Sequence, residues 1–374
     1  MTFDRAAALD RHLRAILENP TAPFREAAVL AAIDVFAKER SGAVELRVDS
    51  AGNRILEVRG SRAGDRAPSI AFTAHVDHPA LVRAESGDWE LLGRVWPAAR
   101  LVGGTMRFFR SDGEPAGRGR VERVRESEGR VTAEVARDGG GDRAGDFAMF
   151  DFPALRREDD LLHGRVCDDL LGGIAILGAI DECLATQPEC CFLAAFTRAE
   201  EVGFVGALAM LQEGSVPREV PIVGLECSAA RGGNAVVGSG PIVRVGDRSA
   251  TFDPGVTAFL RDCAEEIGKE DKEFRYQRRL MQGGSCESTA YLLDGRRAGA
   301  MCLALGNYHN VPDPDPEDPS TGLAAENVSY RDLDGLVRLI ARSVARCDAL
   351  ADPWKPIRDA LAKRLESLRG RLSS

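Results

Sequence analysis

The residues best suited to chemistry in this chain are imidazoles and carboxylates standing at the ends of apolar runs. Ser69 to Ala74 leads into His75 and Asp77, Cys191 to Phe196 into Glu200 and Glu201, Pro221 to Leu225 into Glu226, and Ala300 to Leu305 into His309. Asp168 opens a helical stretch after another strand-like run. Imidazole nitrogen and carboxylate oxygen together form the donor set of hydrolytic divalent metals. Open α/β sheets bind ligands at the carboxyl ends of their strands, so these groups are expected to converge on one crevice.

Each signal has a plainer reading beside it. His75-Val76-Asp77 puts two side chains on one face of an extended segment, where the carboxylate can hold the second ring nitrogen and fix its tautomer. A His-x-Asp arises as readily without a metal. Asp168-Asp169 reads as a helix N-cap pair favoured by the dipole, or as the source of a carboxylate bridging two metals about 3.5 to 4 Å apart. Glu200-Glu201 is more telling, because adjacent carboxylates after a buried strand repel and lose hydration unless a cation or proton compensates. In a dinuclear hydrolase one glutamate coordinates and the other takes a proton from water. Its plainer reading is a solvated helix start; for Glu226 it is a lone edge carboxylate, and for His309 a polar loop residue. Co-occurrence favours the metal: of five histidines in the chain, two fall at strand ends beside the right acids.

The elements that must position these groups follow from periodicity and breakers. Thr2 to Glu18 and Phe24 to Glu39 read as helices, with Pro23 placed for a first turn. Val44 to Val48 and Ile55 to Val58 read as strands joined near Gly52-Asn53. From Pro79 to about His163 short strand-like pieces (Leu101 to Val102, Met106 to Phe109, Gly119 to Val124, Val131 to Val135) alternate with turns such as Ser111-Asp112-Gly113 and Asp138-Gly139-Gly140-Gly141. This reads as a small β-barrel or β-rich insert, residues 79–163, interrupting a main domain of residues 1–78 and 164–374. Beyond it Leu170 to Leu184, Val202 to Leu211, Pro254 to Ile267, Glu287 to Leu293 and Tyr330 to Leu350 read as helices. Their alternation with apolar strands predicts an α/β sandwich around one sheet. Pro312 to Pro319 is expected to be an exposed loop. Trp354 to Leu372 is expected to add a last helix, solvated or covering another subunit.

Composition bounds the class. With 374 residues, 44% hydrophobic and 29% charged, the chain reads as a soluble globular protein of about two domains. A formal charge of -9 offers no reason to expect nucleic acid or an anionic membrane as partner. Met1 to Pro20 lacks a signal-peptide apolar core, no uncharged run approaches the ~20 residues of a membrane span, and nine cysteines fall without paired spacing. A cytoplasmic location is expected. Cys167, Cys227 and Cys286 flank the candidate positions and are expected to be small buried hydrophobes rather than thiolates. His12 and His163 are expected at the surface.

Several phrases resemble a known family: Ala74-His75-Val76-Asp77, Gly145-Asp146-Phe147 ahead of a Gly-x-x-x-Asp run, Phe196 through Ala207 around Glu200-Glu201, and Gln282-Gly283-Gly284-Ser285. The order His-x-Asp, Asp, Glu-Glu, acid, His is similar to the cocatalytic di-zinc aminopeptidase clan. Within it the chain resembles the glutamyl aminopeptidase and tetrahedral aminopeptidase family, formerly labelled cellulase-like, which carries a β-barrel-like insert at this position. The resemblance, over roughly residues 5 to 350, implies a mixed-sheet α/β/α sandwich and a dinuclear metallo-aminopeptidase acting on small peptides through a metal-bridging hydroxide. It implies His75, Asp168, Glu201, Glu226 and His309 as metal ligands with Asp168 bridging, Asp77 orienting His75, Glu200 as general base, and Gly283 and Gly284 near substrate. Two divalent ions, zinc first and cobalt or manganese as substitutes, and a homo-oligomer of two to twelve subunits are implied with them.

The chain departs from the family at Asp169-Leu170, where Asn-Arg is common, at His78, where an acid is common, and at Glu226, where aspartate is commoner. A glutamate at the last position accompanies carboxypeptidase or deacylase activity in related clan members. A carboxypeptidase or N-acyl-amino-acid deacylase is therefore the alternative, and a catalytically silent relative the next. His78 stands open between a supporting group, a substrate contact and plain surface.

Overall fold

The computed structural model describes residues 3–138, 145–233, 235–313 and 322–372. Buried Leu9, Leu13, Ile16 and Leu17 give α1 (Arg5–Leu17) one apolar face, and Asp4 caps it by accepting from the Ala7 amide at 3.0 Å. α2 (Ala27–Glu39) starts three residues later than its apolar pattern predicts. Phe24 takes a left-handed backbone (φ 64) and Glu26 is fully buried, its carboxylate accepting from the amides of Phe24 at 2.9 Å and Ala199 at 3.1 Å. Pro23 therefore lies outside the helix. A hairpin of β1 (Val44–Val48) and β2 (Arg54–Arg59) follows, then β3 (Ala71–His75).

The insert is a closed six-stranded barrel, built from β4 (Ala80–Arg83), β5 (Trp89–Leu92), β6 (Thr105–Phe109), β7 (Pro115–Ser127), β8 (Arg130–Arg137) and β9 (Phe147–Phe150) in the order β4-β5-β8-β7-β6-β9. Its own core includes Leu81, Trp89, Leu91, Met106, Phe108 and Phe150. Periodicity found β6, β7 and β8. The other three are four-residue strands, too short to show alternation, and Leu101 ends a 3-10 turn instead of starting a strand. Residues 139–141 of the expected glycine turn lie outside the described residues. β10 (Arg156–Glu158) and β11 (Leu161–Gly164) then lead back to the main body.

The remaining elements are α3 (Leu170–Thr186), β12 (Cys191–Thr197), α4 (Val205–Glu213), β13 (Ile222–Gly224), β14 (Cys227–Ala229), β15 (Ile242–Gly246), α5 (Pro254–Glu270), β16 (Gln277–Leu280), α6 (Glu287–Leu293), β17 (Ala298–Leu305), β18 (Glu326–Ser329), α7 (Tyr330–Ala345) and α8 (Lys355–Leu368). Most of the expected Pro312 to Pro319 loop, from residue 314 onward, lies outside the described residues.

The main sheet runs β1-β2-β12-β3-β13-β17-β15-β16, with β14 pairing the far end of β17. Its centre, β12-β3-β13-β17, is parallel, and every residue of these four strands is buried. That explains their near-continuous apolar sequence, since a parallel strand covered on both faces has no wet side to mark by alternation. Successive side chains still divide: Phe72, Ala74, Phe192 and Phe196 face a core shared with α1, α2, α3, α5 and α7, while Ala71, Leu193 and Ala195 face one shared with α4 and α6. The expected α/β/α sandwich with a barrel insert is the fold observed. Close layer packing depends on small residues; a Cβ at Gly178 of α3 would stand 3.2 Å from Val337 of α7. A β11-β18 pairing, Gly164 opposite Glu326, brings the start of α3 beneath the last loop of the sheet.

Candidate metal centre

Because the four central strands are parallel and adjacent, their carboxyl ends lie side by side, and the residues that follow them meet there. His75 ends β3 opposite Thr197 of β12, three residues before Glu200; Glu226 lies two residues past β13; His309 lies four past β17. Asp168 precedes α3, whose N-cap is Asp169, accepting from the Gly172 amide at 3.1 Å. The plainer cap reading thus fits Asp169 and leaves Asp168 facing the crevice.

His75 Nε2 stands 3.5 Å from Asp168 Oδ1 and 3.5 Å from Glu226 Oε1. His309 Nε2 stands 3.6 Å from Asp168 Oδ2 and 3.1 Å from Glu201 Oε1. The two oxygens of Asp168 are therefore divided between two imidazoles, each joined by one further carboxylate. Separations of 3.5 to 3.6 Å are long for hydrogen bonds. They suit neighbouring donors on one ion, because donors ~2.0–2.2 Å from a tetrahedral zinc stand roughly 3.3–3.6 Å apart. Glu201 Oε1 is buried with no well-aligned hydrogen bond, only the His309 contact, as suits a metal-ligand oxygen. Donor atoms of His75, Asp168 and Glu201 all lie within 4.8 Å of one another. The residues fit a pair of divalent ions.

Electrostatics points the same way. Asp77, Asp168, Asp169, Glu200, Glu201 and Glu226 crowd around two imidazoles in a region closed to solvent. Burial and the Asp168 charge push the Glu226 carboxyl up to about 8. Burial, with the charges of Glu226, Glu201 and Asp77, lifts Glu200 well above the usual carboxylate range. Burial also acts against Asp168, yet the facing imidazoles of His309 and His75 hold that carboxyl below its ordinary value. Burial opposes charge on the two imidazoles, but the surrounding carboxylates outweigh it and raise both well above normal. Cations in the crevice would relieve the upward shifts of Glu200, Glu226 and the two imidazoles, and would hold Asp168 ionised.

The supporting contacts are specific. His75 Nδ1 lies 3.2 Å from the Asp77 carbonyl and 3.5 Å from its carboxylate. That carboxylate also accepts from the amides of Glu200 at 2.9 Å and Glu201 at 3.1 Å, so one aspartate orients the imidazole and pins the double glutamate. His309 Nδ1 faces the Arg94 carbonyl at 2.6 Å, a contact supplied by the barrel insert. Glu326 escaped sequence reasoning: fully buried, it accepts from the amides of Cys167 at 2.6 Å, Asp168 at 3.2 Å and His309 at 2.8 Å. A lone acid at a strand start gives no spacing signal. Glu26 was missed for the same reason; besides Ala199 it binds Arg198 Nε at 2.9 Å, holding the loop that carries Glu200.

His78 is buried, its ring nitrogens 3.0 Å from the Asp168 carbonyl and 3.0 Å from Asn310 Oδ1, which makes it a supporting group and not surface. His12 is also buried, bonded to Asp181 Oδ2 at 2.9 Å, so its expected surface position is corrected: Asp181, itself held by Arg40, satisfies its ring. Cys167, Cys227 and Cys286 are buried, and burial raises all three thiols. Gly283 and Gly284 lie exposed before α6, with open space where a Cβ would stand.

The fold and the donor set are those of a metal-dependent peptidase. The M42 glutamyl aminopeptidase family model matches residues 130–311, a span holding Asp168, Glu200, Glu201, Glu226 and His309, and the resemblance read from the motifs is borne out. A search of the curated proteins finds no match. Among solved structures the chain is similar to the TET1 peptidase of Pyrococcus horikoshii, which can assemble into a tetrahedron or a large octahedral shell (TM-score 0.70, 20% identity, covering 90% of this chain and 99% of that one). It is also similar to a TET aminopeptidase from a marine sediment Thaumarchaeota archaeon (0.73, 17%, 93% and 100%) and an aminopeptidase from Desulfurococcus kamchatkensis (0.70, 20%, 91% and 95%).

Proposed function

We propose that the protein is a metal-dependent aminopeptidase that removes amino-terminal residues from small peptides. The observation that carries this is Asp168, one carboxylate whose two oxygens face two different imidazoles. His75, Glu226 and Asp168 would hold one ion, and His309, Glu201 and Asp168 the other. Zinc suits this mixed nitrogen and oxygen set, with cobalt or manganese able to substitute. The ions would supply Lewis acidity toward the scissile carbonyl and toward water.

The protein's own groups do the rest. Glu200, 9% exposed at the crevice, takes the proton from the attacking water and returns it to the leaving nitrogen. Asp77 keeps His75 in the tautomer that presents Nε2, and keeps Glu200 fixed through its amide. Gly283 and Gly284 would let a peptide backbone approach. In this reading residues 79–163 form an inserted unit that steadies His309, copies of the chain assemble into a homo-oligomer, and the protein works in the cytoplasm. No helix among the described residues is long and apolar enough to cross a membrane.

The test is metal analysis combined with turnover of aminoacyl anilides and of their amino-blocked forms. Hydrolysis of free-amine substrates, abolished by chelation and restored by zinc, is expected. Turnover confined to blocked substrates would replace the aminopeptidase with a deacylase, and full metal loading without either activity would leave a silent relative.

A further inference from the structure

Away from the metal centre, one pocket of about 340 Å³ gathers positive charge in a chain whose formal charge is -9. Arg107 of β6, Arg118 of β7 and Asp151 just past β9 line it from the barrel; Glu18 at the end of α1 and Arg165 before α3 line it from the main body. The pocket therefore lies on the seam between the two.

Arg107 and Arg118 are direct partners in the antiparallel β6-β7 register. Like charges placed opposite one another destabilise a strand pair, so this arrangement calls for an anion. Asp151 answers in part, with Oδ1 2.8 Å from Arg107 Nε and Oδ2 2.9 Å from Arg118 Nε. Both carboxylate oxygens are thereby occupied by the Nε atoms, and the terminal nitrogens of the two guanidiniums have no partner among the described residues. Arg165 adds a third guanidinium. It is 5% exposed, and one terminal nitrogen donates to the Glu18 carbonyl at 2.9 Å and the Leu17 carbonyl at 3.4 Å. Its Nε is buried without a partner. A buried cation with open donors costs free energy until an acceptor arrives. Burial and the Arg107 charge bring the Arg165 guanidinium down to about 10, and Asp151 opposes them only in part. Glu18, exposed, is the one other acid lining the pocket, and it makes no ion pair among the described residues. Three guanidiniums thus face two carboxylates, one of them already saturated.

We propose that this pocket binds a phosphate-class oxyanion, held by Arg107 and Arg118 of the barrel and Arg165 of the main body. The anion would fasten the barrel against the body. Arg165 stands three residues before Asp168, and its carbonyl accepts from Asn310 Nδ2 at 3.3 Å beside His309, so the segment being steadied leads into the candidate metal centre. The site is independent of the peptidase reading and is tested without an activity assay. Calorimetric titration of the full chain with inorganic phosphate should show binding that Arg118→Ala weakens about tenfold or more, as loss of a hydrogen bond to a charged group implies. Arg107→Ala should do the same, and saturating phosphate should raise the melting temperature of the wild type more than that of either variant. Both are partly exposed strand residues, and circular dichroism checks that the variants fold; Arg118→Lys, which keeps the charge and loses the paired donors, should bind with intermediate affinity. Titration with glycerol phosphate identifies the source: tighter binding than inorganic phosphate marks an organic phosphate, and weaker binding a free one. Phosphate bound at the metal centre alone would leave the affinity of Arg118→Ala unchanged. That result, or no binding at millimolar phosphate, would overturn the proposal.

Discussion

The two halves of the proposed metal centre hold the same kind of group and are built differently. His75 is the last residue of β3, in register with β12, and its second nitrogen is held two residues further along the same segment by Asp77. His309 stands in a turn where Asn307, His309 and Asn310 all adopt left-handed backbone (φ 55, 53 and 61). Such conformations cost non-glycine residues on the order of 1–3 kcal/mol each and persist only when the surroundings impose them. Here the surroundings are the Arg94 carbonyl from the barrel and Glu326 from β18. The first half inherits its geometry from a sheet, and the second from contacts between distant parts of the chain. The His309 half is accordingly expected to bind its ion less tightly and lose it first under graded chelation.

The largest effect should come from the proposed base, which serves both halves without belonging to either. Glu200→Gln is expected to lower turnover at least ~100-fold with metal content unchanged, and near-normal turnover would remove Glu200 from the mechanism. Next, His309→Ala should empty its own half while His75→Ala also disturbs the sheet end; metal analysis after dialysis separates them, and full occupancy in His309→Ala would strike it from the ligand set. Asp77→Asn and Glu326→Gln should each cost roughly 10–100-fold. The first should act mainly on turnover, because Asp77 also carries the Glu200 amide, and the second mainly on affinity for the weaker ion. Calorimetric titration of both variants distinguishes them.

Acidity offers a gentler probe. Both imidazoles are raised above the ordinary ~6.5 in the metal-free protein, so their protonated forms stabilise it at low pH and that contribution is lost as pH rises through the raised values. Metal binding needs them unprotonated, so the increase in melting temperature produced by zinc should grow with rising pH. An increment that shrank with pH would contradict the ligand assignment. The smallest effect is a control away from both halves. Asp181 accepts from Arg40 Nε at 2.6 Å and pairs with His12; these hydrogen bonds outweigh its burial and depress its pKa. Asp181→Asn should cost about 1–3 kcal/mol of stability near neutrality, a difference that vanishes as acid protonates the native carboxyl, with metal content unaffected.

The contrast between the halves also marks where sequence reasoning worked. β3, β12, β13 and β17 were legible because burial on both faces demands continuous apolar runs, and a polar residue ending such a run stands out. Glu26, Glu326 and the Arg94 carbonyl were invisible, because each acts across the fold on a backbone group or ring and leaves no mark in local spacing. The barrel was recognisable as β-rich from its turns, but β4, β5 and β9 were too short to display a period. α2 began late because Glu26 satisfies the amide of Ala199, a requirement set 173 residues away. His12 and His78 were misplaced or left open for a related reason: the acceptors that permit their burial, Asp181 and the Asp168 carbonyl, lie far off in sequence.

The sheet order has a consequence for biosynthesis. β3 emerges early from the ribosome, yet in the finished protein it lies between β12 and β13, and β17 completes the row only after most of the chain has been translated. A nascent chain lacking β17 has Asp168 and the double glutamate but no second imidazole. Hydrolytic power would then appear only at the end of synthesis, and prematurely terminated fragments would be harmless to the peptides around them.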